Sequence, residues 1–111
     1  MPDTRQSFRL TTSPQIKPAD LRQLAAEGFA GVINNRPDAE EPEQPTSLEL
    51  EGEAKRLGLA YWHIPVVPGE MTEMDVRAFA AALEEARGPV LAFCRTGNRA
   101  AALWRAAQAV A

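Results

Sequence analysis

The chain has 111 residues, 45% of them hydrophobic and 24% charged, with a formal net charge of −3: one domain's worth of sequence, residues 1–111, with an ordinary globular composition. That acidic balance argues against a general nucleic-acid or membrane-surface binder, whose affinity for phosphate comes from many basic side chains. The single cysteine excludes an intrachain disulfide framework and suits a reducing compartment, so a cytoplasmic location is expected, with no signal-peptide core in the polar start Met-Pro-Asp-Thr-Arg-Gln and no apolar run of membrane-spanning length.

Strand and helix signals alternate along the chain. Residues 7–11 (Ser-Phe-Arg-Leu-Thr) alternate in polarity and predict a short strand near a sheet edge. Pro18 stands at the favoured first position of a helix with Leu21, Leu24 and Ala25 on one face and Gly28 as its stop. Phe29 to Ile33 predicts a second strand. The stretch from Asn34 to Pro45 carries three prolines and several acids, which predicts the longest loop. Thr46 and Glu49 have capping-box spacing for a second helix ending near Leu57 and stopped by Gly58. Leu59 to Ile64 predicts a third strand and Pro65 to Met71 a loop; Thr72 caps a third helix running through Arg87, with Gly88-Pro89 ending it. Val90 to Phe93 is wholly apolar, as a central parallel strand is. A last helix, Ala100 to Val110, has no stop signal before the chain ends, which reads either as a trimmed piece or as a domain normally followed by more sequence.

Strand followed by helix, four times over, predicts an α/β fold: a small parallel four-stranded sheet with right-handed crossovers and helices on its faces. Ligands in such sheets bind at the carboxyl ends of the strands, which brings together Cys94 and the loops after Ile33 and Ile64. The Cys94 junction, Phe-Cys-Arg-Thr-Gly-Asn-Arg-Ala, has the chemistry for holding an anion over a thiolate. A loop entering a helix presents free N–H groups at the positive end of the macrodipole, and Gly97 can take left-handed angles that turn them inward. Arg95 and Arg99 add charge, and one guanidinium can grip an oxyanion through two parallel bonds. The same field favours the nucleophilic thiolate of Cys94. The plainer alternative is a buried cysteine acting as a small apolar residue.

Cys-x-x-Gly-x-Arg after an apolar strand resembles the active loop of single-domain rhodaneses and, more loosely, the phosphate loop of cysteine-dependent tyrosine phosphatases. Five motifs in order, 13–20 (Ser-Pro-Gln-Ile-Lys-Pro-Ala-Asp), 33–38 (Ile-Asn-Asn-Arg-Pro-Asp), 44–47 (Gln-Pro-Thr-Ser), 63–67 (His-Ile-Pro-Val-Val) and 94–99 (Cys-Arg-Thr-Gly-Asn-Arg), resemble the phosphatase-like domain family of beta-lactamase-hydrolase-like proteins. The resemblance implies a tyrosine-phosphatase-like fold and a cysteine-dependent transferase or hydrolase without a cofactor. It also implies a sulfur-linked partner, since some members are fused to persulfide dioxygenases or sulfide-oxidising flavoproteins.

The tyrosine-phosphatase signature has five residues between nucleophile and arginine, whereas only Arg95, Thr96, Gly97 and Asn98 separate Cys94 from Arg99. A shorter cradle suits a sulfane sulfur or thiosulfate better than a phosphomonoester. The loop after the third strand, where such phosphatases carry an aspartate general acid, reads Ile-Pro-Val-Val-Pro-Gly-Glu. Glu70 and Asp38 are left as candidates for the acid, against the plainer reading of solvated loop residues. The leading expectation is a sulfurtransferase in which Cys94 carries a sulfane sulfur as a persulfide, with Arg99, Arg95 and the loop residues Thr96, Gly97 and Asn98 binding a small anionic or thiol substrate. A phosphatase working through a cysteinyl phosphate and a non-catalytic anion-binding module are the alternatives. His63, the sole histidine, has no second histidine or cysteine near it in sequence, so no metal is expected; it is read as a packed, hydrogen-bonded residue near the pocket floor rather than a base. Arg36 is read as structural ahead of a role at the pocket mouth, and Trp104 as core packing.

Overall fold

A computed structural model describes residues 9–110. In chain order they form β1 (Leu10–Ser13), α1 (Asp20–Ala26), β2 (Gly31–Asn34), α2 (Ser47–Arg56), β3 (Ala60–His63), α3 (Glu73–Glu85), β4 (Val90–Phe93) and α4 (Asn98–Val110). The four strands make one parallel sheet in the order β1-β4-β2-β3. Every residue of the central strands β4 and β2 is buried, whereas the edge strands β1 and β3 keep exposed positions. The pleat sends successive side chains to opposite faces. Ile33, Val90 and Ala92 pack with Val76 and Phe79 of α3 and Leu103 of α4, and half-buried Trp104 packs against that layer. Val32, Leu91 and Phe93 pack with Leu21 and Leu24 of α1 and Leu50 of α2. Among the described residues no helix is long and apolar enough to cross a membrane.

The element order matches the sequence expectation, and the boundaries differ for local reasons. The first strand lies at Leu10–Ser13 rather than 7–11, because Leu10 to Ser13 pair with Val90 to Phe93; residues 7 and 8 fall outside the described residues. α1 starts at Asp20 rather than Pro18, since Lys17 to Asp20 closes as a turn in which the Asp20 carboxylate accepts the Lys17 N–H. β2 starts at Gly31 and runs to Asn34. α2 and α3 carry capping boxes, Thr46 with Glu49 and Thr72 with Asp75. α3 ends at Glu85 instead of Arg87; Ala86 turns extended, and the Arg9 guanidinium donates to the carbonyls of Leu83 and Ala86. α4 begins two residues early, at Asn98, because the Gly97 carbonyl already accepts the Ala101 N–H at 3.0 Å. That shift puts Arg99 in the first turn of α4, directly over the cysteine loop.

Candidate active site

Cys94 leaves the end of β4 fully buried. Its N–H donates to the Ser13 carbonyl (3.3 Å), and on the other side the Asn35 N–H donates to the Phe93 carbonyl (2.8 Å), so the ends of β1 and β2 clamp the loop. The Gly97 N–H points back at the cysteine and donates to Sγ at 3.0 Å. Gly97 reaches that pose at φ 95°, and a Cβ there would lie 3.3 Å from the Ser13 carbonyl carbon, so both angle and space call for glycine. The sulfur therefore sits beneath the N-terminus of a 13-residue helix with one amide already aimed at it. Thr96 and Asn98 are exposed on the loop, where Thr96 Oγ1 accepts the Asn98 N–H at 3.3 Å.

Arg99 has five N–H donors, and three are bonded among the described residues. Glu40 takes one from each terminal nitrogen (Nη1 to Oε2 2.7 Å, Nη2 to Oε1 3.0 Å), and the Val66 carbonyl takes the second from Nη1 (2.8 Å). What remains is Nε–H and the outer N–H of Nη2, which lie on one edge and form a fork suited to two oxygens of a bound anion. The hydrogen bond from Arg99 holds the Glu40 carboxyl below the usual carboxylate range, against the cost of its burial and with help from Arg36. Because that value is depressed in the folded protein, the Glu40 contact is intact at neutral pH. It is lost only as acid carries the pH down through the depressed value.

Behind Glu40 lies a charge relay. Arg36, 1% exposed, donates from Nε to Glu40 (2.7 Å), from Nη1 to Gln15 (2.9 Å) and from Nη2 to Glu41 (2.8 Å). Glu41 in turn approaches Arg95 at 3.7 Å, across an exposed gap. Two adjacent glutamates thus tie one buried arginine to both arginines of the cysteine loop. Ala39, at φ 65°, is the turn that aims them, and the Gln44 side chain holds it by accepting the N–H of Glu40 and Glu41 and donating to the Pro37 carbonyl. Left-handed alanine is strained, and such strain concentrates at functional sites.

The other candidate residues lie elsewhere. Asp38 is used on α2, its Oδ1 accepting the Ser47 N–H at 2.8 Å. Glu70 is exposed, in a loop bordering a cavity of about 400 Å³ whose wall includes Val66, Met71, Arg99 and Ala102. His63 is hydrogen-bonded as expected, Nε2 lying 2.9 Å from the Arg36 carbonyl oxygen, but it is exposed on edge strand β3 rather than packed on a pocket floor. Among the described residues no group of three or more His, Cys, Asp or Glu side chains comes together as a metal would need. Glu40, Glu41 and Gln15 carry functional contacts that sequence reasoning missed; the only signal for the glutamates was that their loop follows a strand end.

Arg99→Lys keeps the charge but loses the fork on both edges, to Glu40 and to a bound anion. Turnover is expected to fall roughly ten- to a hundred-fold while the fold survives. Steady-state kinetics on purified protein check this, and a fully active lysine variant would make Arg99 a structural residue.

Residues 4–111 match the family model described as "Beta-lactamase hydrolase-like protein, phosphatase-like domain". Beta-lactamase hydrolase-like proteins of Agrobacterium fabrum (43% identical over 94% of the chain) and Xylella fastidiosa (37% over 92%) are relatives in which the chain spans only 24% of the length. Among solved structures, a candidate phosphatase from Neisseria meningitidis superposes with a TM-score of 0.79 at 38% identity, over 86% of this chain and 68% of that one. A second, from Shewanella putrefaciens, gives 0.79 at 27% identity, over 90% and 62%. The fold is therefore phosphatase-like, and the chain belongs to the phosphatase-like domain family of beta-lactamase hydrolase-like proteins.

Proposed function

We propose that the domain is a Cys94-dependent sulfurtransferase built on this phosphatase-like scaffold. The Cys94 thiolate attacks the outer sulfur of thiosulfate or of a persulfide. The new S–S bond forms as the donor's S–S bond breaks, and sulfite or a thiolate departs with the electron pair. A second nucleophile, a small thiolate or cyanide, then takes the outer sulfur and returns Cys94 as thiolate. The Gly97 N–H and the start of α4 stabilise charge on the sulfur, and the open edge of Arg99 holds the donor's oxygens. No step needs a proton donor, because sulfite is already a good leaving group.

The observation that carries this reading is the commitment of Glu40 and Asp38, while exposed Glu70 does not line the cavity beside Arg99. Glu40 is bonded to two guanidinium groups and held ionised, and Asp38 is spent on the α2 terminus. Neither is free to protonate an alkoxide. The small acceptor and a sulfur-oxidising partner belong to the same proposal, as does a reducing location.

The second reading, a phosphatase passing the phosphoryl group through Cys94 to water, is favoured by the description of the family and of its solved relatives. Parallel assays on thiosulfate, an aryl phosphate and an alkyl phosphate separate the two. Sulfur transfer is expected with thiosulfate, weak turnover at best with the aryl phosphate and none with the alkyl ester, whose leaving group needs protonation. Strong phosphate hydrolysis with no sulfur transfer reverses the ranking.

A further inference from the structure

We infer that the groove starting at Arg95 binds the body of the substrate and selects one that is peptide-like and acidic. The inference rests on the reading of Cys94 as the reacting group only for what enters the cradle; the groove's own selectivity is independent of the reaction. A cavity of about 790 Å³ is lined by Gln15 and Lys17, by Glu41 to Pro45, and by Arg36 and Arg95. Its size is that of a ligand site, and it begins one residue from the cysteine. The Gln15 N–H donates to the Arg95 carbonyl at 3.2 Å, fixing that wall to the cysteine loop, and buried Arg36 forms part of the lining.

The charges left over in the groove define the ligand. Arg36 is consumed by Glu40, Glu41 and Gln15. Among the described residues the Arg95 side chain has only the 3.7 Å approach to exposed Glu41, a contact weak enough to be exchanged. Among the described residues, Lys17 and Glu43 line the groove without an ion pair. Two available cations therefore face one available carboxylate. A peptide-like body with carboxylates brings anions for Lys17 and Arg95, and its backbone N–H groups bring donors for Glu43, which a bare inorganic anion does not carry. The protein as a whole is acidic, so a preference for an acidic ligand cannot come from its net charge.

The test is fluorescence anisotropy of three labelled tetrapeptides, Gly-Glu-Glu-Gly, Gly-Gln-Gln-Gly and Gly-Lys-Lys-Gly, with the unmodified protein at low salt. The glutamate peptide is expected to bind roughly five- to ten-fold tighter than the glutamine peptide, with the lysine peptide weakest. Lys17→Glu and Arg95→Glu, both exposed and harmless to the fold, should each erase the preference, and Glu43→Lys should strengthen it. Equal affinity for the three peptides, or a preference surviving both reversals, overturns the inference. Because binding needs no turnover, an acidic preference in a protein whose Cys94 proves inert would sink the proposed reaction and leave the groove standing.

Discussion

Cys94→Ser removes sulfur or phosphoryl transfer, by about a thousand-fold or more, while the protein stays folded. Serine is close in size, and its hydroxyl can accept the same Gly97 N–H that Sγ accepts at 3.0 Å, so neither the loop nor the packing beneath it has reason to rearrange. What is lost is the nucleophile: an alkoxide at neutral pH is far scarcer than a thiolate. Paired rate and circular-dichroism measurements check both halves. A serine variant with a tenth of the original rate would mean that Cys94 is the small buried residue of the plainer reading, and that the anion site works without it.

Arg36→Ala is expected to lower stability by about 3 kcal/mol, which for a chain of this size moves the melting temperature down by roughly 10 °C or more. Arg36 is completely enclosed and satisfies Gln15, Glu40 and Glu41 together. Its removal opens a cavity and leaves Glu40, which is only 20% exposed, with a single cation. The expected loss sits below the top of the range for buried pairs because Glu41 is half in solvent. Urea denaturation measures it. Arg36→Met, which restores much of the volume without the charge, separates packing from pairing. A loss under about 1 kcal/mol for Arg36→Ala would put the network in the class of ordinary surface pairs.

The chemistry-bearing half of the site was legible because it is local. An apolar strand followed by a cysteine, a glycine and an arginine within six residues specifies a strand-to-helix loop, and the helix caps at Thr46 and Thr72 are written in neighbouring letters. The organising half was not, because it is tertiary. Glu40 lies 59 residues from Arg99 in sequence, in a proline-broken acidic stretch that by composition reads as solvated loop. Only the sheet order, which sets the end of β2 beside the end of β4, makes that stretch the backing of the cysteine loop. His63 failed in the opposite direction. Nothing in Tyr-Trp-His-Ile-Pro tells an edge strand from a central one, and the exposure of Ala60 and His63 follows from the place of β3 at the end of the β1-β4-β2-β3 order.

The account turns on which atom Cys94 carries. Intact-protein mass spectrometry after brief incubation with thiosulfate, and separately with an aryl phosphate, reads that atom on the protein itself. The expected result is a gain equal to one sulfur atom, localised to Cys94, removed by cyanide or a small thiol with return of the original mass, and absent in Cys94→Ser. A phosphoryl gain on Cys94 with the aryl phosphate, and no sulfur gain from thiosulfate, would contradict the account and make the domain a phosphatase.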